Sequence, residues 1–219
     1  MAFDFESWLA RVSAGSEAWH ASDFDRLFEL EADAYRPSPN ELAELVREFC
    51  ERSGELPNRV GRDGAGRLLW YLMGGGAQIW LQIREARADR AIEAVLSLKC
   101  LYDELFAKEL TDPEDAATTV AHPLGTACYM LWDMDGGLGS IPLLGAPNHL
   151  VDPCFDVLEY ALTVHNPACW LSALHGLGHS VSAAPERVRT LIQGFLARHD
   201  RIPHHLMRYA EATMSGRVL

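Results

Sequence analysis

A proline-led start recurs along the C-terminal half of this chain, and it constrains the fold more than any other feature. Thr119-Val120-Ala121-His122-Pro123 returns 44 residues later as Thr163-Val164-His165-Asn166-Pro167, and Arg201-Ile202-Pro203 follows 36 residues after Pro167. Proline suits the first position of a helix, where its missing N–H costs nothing and its φ is already helical. Asn166, directly before Pro167, has the side chain that accepts from an orphan N–H at a helix start. Each start therefore predicts a helix, and the apolar positions inside the helices align. Leu171 and Leu174 after Pro167 answer Met207 and Ala210 after Pro203. Val157, Leu158, Ala161 and Leu162 in the preceding helix answer Leu191, Ile192, Phe195 and Leu196. Two helices per unit at such a period is the pattern of stacked helical hairpins.

The rest of the chain reads as helices added to the same stack. Helical spacing of apolar residues predicts helices over Asp4–Val12, Ser22–Tyr35, from Ser38-Pro39 to about Ser53, over Leu68–Met73, Ile79–Ile83, Asp89–Leu110 and Pro123–Met134. No stretch alternates with period two for long enough to suggest a sheet. The expectation is an all-α fold, an α-α superhelix or solenoid-like stack of helical hairpins. It would form one domain over 1–219, with acidic helices in 1–118 and repeat-like hairpins in 119–219. Pro57–Gly66, with three glycines, reads as a loop or connector, and Gly74-Gly75-Gly76 as a helix breaker.

The segment Pro167–Arg198, PACWLSALHGLGHSVSAAPERVRTLIQGFLAR, resembles a HEAT- or armadillo-type helical repeat. Its Ala173-Leu174-x-x-Leu177-Gly178 core is followed by a short turn and a new amphipathic helix. The likeness covers about the last hundred residues. It departs from the HEAT pattern in lacking the internal Asp/Arg ladder and in its uneven period. What the resemblance implies is a binding scaffold without a named partner.

Charge narrows the partners. The net charge is −12, and residues 1–60 alone hold 13 acids against 6 bases. That balance argues against nucleic acid, whose phosphates need clustered Lys and Arg. It suits a protein partner with a basic face. No uninterrupted apolar run approaches the roughly 20 residues of a membrane span. The five scattered cysteines contain no CxxC pair and read as buried thiols of a cytoplasmic protein. No cofactor motif is present, since the Gly-rich stretches lack the strand or Walker spacing of nucleotide loops.

Three features invite chemistry. His175 and His179 lie four apart in a helix as HGLGH, so both rings can face one metal ion. Metalloprotease helices place a Glu after the first His; here Gly176 stands there, so a carboxylate would have to come from elsewhere. The helical wheel puts Leu171, Leu174, Gly178 and Val181 on the buried stripe and the two histidines at its rim, where neighbours commonly satisfy them. The second feature, His199-Asp200, matches the dipeptide of HD phosphohydrolases but falls at a helix end, with no later Asp. The third is the long irregular stretch Asp135–Asn148. Trp132, Asp133, Asp135, His122 and His149 could border a pocket with it. Its D-x-D-G opening resembles a calcium loop, but Leu144 stands where the bidentate Glu belongs. The sequence by itself favours a non-enzymatic interaction scaffold. A metal-dependent hydrolase built on His175 and His179, or a small-molecule pocket under the 135–148 loop, stand as alternatives.

Overall fold

The computed structural model describes residues 5–14, 37–73, 79–111, 123–133 and 148–218, and every regular element among them is helical. The helices are α1 (Phe5–Ala14), α2 (Pro39–Glu51), α3 (Leu56–Met73), α4 (Ile79–Ile83), α5 (Ala88–Cys100), α6 (Pro123–Met130), α7 (Asn148–Thr163), α8 (Pro167–Ser180), α9 (Pro185–Arg198) and α10 (His204–Thr213). The expected helix over Ser22–Tyr35, the Gly74–Gly76 breaker and nearly all of the 135–148 loop lie outside the described residues.

Two rows of helices build the fold. In one row α2, α5, α7 and α9 each pack on the next. In the other, α3, α6, α8 and α10 do the same. The helices opened at Pro123, Pro167 and Pro203 are thus successive members of one row, and α8 lies between α6 and α10. This is the all-α stack that the repeat pattern predicts. The aligned apolar residues turn inward: Val157, Leu158, Ala161, Leu162, Ile192 and Phe195 are buried, with Leu191 and Leu196 packed at the edge. Met207 breaks the alignment. It is 40% exposed, whereas its counterpart Leu171 is buried; among the described residues α10 is the last helix of its row.

Local chemistry sets the helix starts. Ser38 and Glu41 form a reciprocal capping box: the Ser38 Oγ accepts from the Glu41 N–H, and the Glu41 carboxylate accepts from the Ser38 N–H at 2.8 Å. Asn166 Oδ1 accepts from the Ala168 N–H at 2.8 Å, while its Nδ2 donates to the Leu110 carbonyl at 2.7 Å. One buried amide therefore caps α8 and ties its start to the end of the preceding hairpin.

Two local features depart from the sequence expectation. Pro57–Gly66 is largely helical rather than a loop, with helical turns on both sides of a break at Gly61 (φ 76°, ψ 165°). Only glycine adopts that left-handed angle cheaply. The predicted helix over Asp89–Leu110 is continuous but not uniform. After α5 it passes through a π-helical turn, Leu101–Phe106, before a last α-helical piece, Ala107–Glu109. The wider turn lets Leu101, Tyr102, Leu105 and Phe106 all reach the interior. Cys50, Cys128, Cys154 and Cys169 are buried and Cys100 is half-buried, all as free thiols. No helix among the described residues is long and apolar enough to cross a membrane.

At the N-terminal end α1 docks on α2 through Phe5 and Leu9, which are buried. Its Glu6 bridges Arg52 at 2.5 Å and Arg59 at 2.6 Å. Those two arginines hold the Glu6 carboxyl down at about 2. The folded value lies below the unfolded one of 4.5, so this pairing contributes stability above pH 4.5 and loses it as the pH falls toward 2. Glu6→Gln should lower the urea midpoint slightly at neutral pH. The gap from wild type should close as the pH approaches 2 and shrink in high salt, because the pair faces solvent. A gap independent of pH would contradict this assignment.

Candidate metal centre

Helix α8 is buried nearly all round, as a helix with neighbours on several sides must be. Its His175 is accordingly not at the rim. It is 1% exposed, while His179, one turn on, is half-buried. The Nε2 atoms of the two rings lie 3.1 Å apart, with the rings nearly perpendicular at 86°.

The carboxylate that the sequence left unassigned is Asp133, in the turn that follows α6. Its Oδ1 is 3.4 Å from His179 Nε2 and its Oδ2 is 3.7 Å from His175 Nε2. One donor atom from each of Asp133, His175 and His179 falls within 4.8 Å of the others. Ligands about 2.0–2.1 Å from a zinc ion at tetrahedral angles stand about 3.3–3.4 Å apart, close to the spacings found here.

What places Asp133 is the residue before it. Trp132 is 2% exposed and packs closely against α8 at Gly176. A Cβ at position 176 would stand 2.5 Å from Trp132 Cγ and 2.8 Å from Leu158 Cδ2. The glycine that replaces a metalloprotease Glu thus admits the indole whose neighbour supplies the carboxylate. A buried hydrogen-bond chain fixes the indole. Trp132 Nε1–H donates to Tyr102 Oη at 2.9 Å, and Tyr102 meets Ser172 Oγ at 2.9 Å. Ser172 donates to the Cys128 carbonyl, so its own oxygen accepts from the Tyr102 hydroxyl. Every donor in this chain has one acceptor, and the π-helical turn presents the central phenol.

Around His175 two tyrosines complete the site. Tyr209 Oη, from α10, is 2.8 Å from His175 Nδ1 and 3.2 Å from Tyr129 Oη, from α6. The Tyr129 ring packs on the imidazole with centroids 4.3 Å apart. Burial, and then the nearby His179, push the His175 imidazole down to about 4, against the pull of Asp133. The ring is neutral at physiological pH, the form that ligates metals. Burial and the bond to Tyr129 push the Tyr209 phenol up, so it stays protonated.

No protein-family model, curated protein or solved structure matches this chain. The site therefore rests on its own geometry. Of the residues picked out from sequence, Asp133, His175 and His179 converge. Trp132 is a buried support for Asp133. His149, in the first turn of α7, has its Nε2 enclosed with no hydrogen-bond partner among the described residues. His122 and Asp135 lie outside the described residues. His199 packs against Trp170 and Phe195, with its Nε2 at the Leu162 carbonyl, so it caps a helix end rather than serving an HD site. Sequence reasoning missed Tyr129 and Tyr209. Each sits six residues after its proline, and that shared register was the available signal.

The contact between Trp132 and Gly176 makes a direct prediction. Gly176→Ala forces the indole aside and should destabilise the protein by about 1–3 kcal/mol, the usual cost of overpacking a core. Gly194→Ala, where an added Cβ meets nothing within 4 Å, should be neutral or stabilise by up to about 1 kcal/mol through helix propensity. Urea midpoints of both variants against wild type provide the check, and equal effects would contradict the packing.

Proposed function

We propose that this protein binds one divalent transition-metal ion through Asp133, His175 and His179, and that the ion activates water for hydrolysis. The observation that carries the reading is the convergence of an acid from one helix's end with an HxxxH pair on its neighbour. Two imidazoles and one carboxylate suit zinc, iron(II), cobalt or manganese better than magnesium or calcium, which prefer all-oxygen shells. Three protein donors leave coordination positions for water and substrate, the arrangement of catalytic rather than structural sites. Asp133 is 42% exposed, so the centre has an open side. A bound ion of this kind lowers the pKa of its water to about 7 and supplies a nucleophile without a separate Glu after the first histidine.

An interaction scaffold has less support on this surface. Among the described residues Met207 is the one large hydrophobic side chain that is exposed. Among the described residues, four acids of the N-terminal part are already engaged: Glu44 and Glu51 pair with Arg47, and Glu6 and Glu55 with Arg52. A basic partner would have to break these pairs to use them.

Tag-free protein, stripped with a chelator and reloaded with zinc, should hold about one ion per chain by mass spectrometry. His175→Ala or His179→Ala should lower that affinity at least 100-fold. Asp133→Asn should lower it less, since an amide oxygen still ligates weakly. Zinc-loaded wild type should also hydrolyse chromogenic esters or phosphoesters faster than the His175→Ala variant. Wild type that holds no zinc, or variants that hold it equally well, would overturn the metal reading. Tight binding without hydrolysis would leave a metal-binding protein and remove the catalytic part.

A further inference from the structure

We infer that Tyr209 is a positioning residue of this centre: its hydroxyl holds the His175 ring through Nδ1 and accepts the Nδ1 proton in the tautomer whose Nε2 ligates. The inference rests on the metal reading above and goes beyond it, because it concerns a residue outside the ligand set. A neutral imidazole carries one proton, and the partner of one ring nitrogen decides what the other can do. For His175 that partner is Tyr209 Oη, 2.8 Å from Nδ1. The ring cannot swing away to find another, since Tyr129 packs on its face and the whole side chain is buried.

A hydroxyl differs from a carbonyl in serving either tautomer. In the metal-free site the Nε2 atoms of His175 and His179 are 3.1 Å apart, and between two neutral rings one must donate to the other. If His175 donates from Nε2, Tyr209 donates its own proton to Nδ1. With a metal present both Nε2 atoms offer lone pairs, so the His175 proton sits on Nδ1. Tyr209 then accepts it and turns its hydroxyl hydrogen toward Tyr129 Oη, 3.2 Å away. Both states keep the hydrogen bond between His175 Nδ1 and Tyr209 Oη, and His175 stays neutral in each. Outer partners of this kind typically change metal affinity by about 10–100-fold when removed.

The three side chains come from α8, α10 and α6, consecutive members of one row. Phenylalanine at 209 keeps the ring and its packing and deletes only the hydroxyl. Tyr209→Phe should therefore fold with wild-type helicity and bind zinc about 10–100-fold more weakly in chelator competition. Its cobalt(II) derivative should show an altered visible spectrum, which a purely structural role would leave unchanged. Long-range ¹H–¹⁵N NMR of zinc-loaded wild type should find His175 protonated at Nδ1 and metallated at Nε2. That second measurement stands even if Tyr209→Phe fails to fold. Wild type that binds zinc alongside a Tyr209→Phe variant of equal affinity and spectrum, or metallation of His175 at Nδ1, would overturn this inference alone. Wild type that takes up no zinc would overturn it together with the metal reading.

Discussion

The contact on which the site depends is the close packing of the Trp132 indole against the bare backbone of α8 at Gly176. An indole can approach a helix this closely only where there is no Cβ. Its single polar atom is better placed with an acceptor inside the protein, because an unpaired buried N–H costs about as much as a lost hydrogen bond. Tyr102 provides it, and Ser172 and the Cys128 carbonyl complete the sequence of donors and acceptors. Asp133 is the next residue in the chain, so fixing the indole brings a carboxylate to the two histidines. Packing, hydrogen bonding and candidate chemistry meet within a few residues.

The stack gives this arrangement its rigidity. Side chains mounted on packed helices hold their geometry better than those on loops. Here α6 contributes Tyr129, and the turn that follows it holds Trp132 and Asp133. The next helix in the row, α8, brings His175 and His179, and α10 brings Tyr209. Asn166 links the rows by capping α8 while bonding the Leu110 carbonyl. The centre is therefore a product of stacking, and no single hairpin contains it.

Much of the architecture was legible in the sequence because it is local. Proline at a helix start, Asn166 as a cap and apolar residues at helical spacing all act within a turn or two, and the structure follows them. The HxxxH pair was legible for the same reason. The parts that were not legible depend on distant contacts. Nothing in the spacing of Asp89–Leu110 announces a π-helical turn, from which Tyr102 meets Trp132 and Ser172. Pro57–Gly66 looked like a loop because glycines usually end helices; Gly61 does interrupt the helix, but helical turns resume directly after it. His175 looked like a rim residue because a helical wheel considers one buried stripe, whereas α8 has neighbours on several sides. Asp133 was noticed for its loop, and its meeting with the histidines, more than 40 residues on, required the row of helices to be known.

The most direct test is where a metal sits. Crystals of the tag-free protein soaked in zinc, with diffraction data collected on both sides of the zinc absorption edge, locate the ion without reference to activity. The account predicts one strong anomalous peak bounded by Asp133, His175 Nε2 and His179 Nε2, with Trp132 still against Gly176. A zinc peak elsewhere on the chain with these three side chains unoccupied would contradict it.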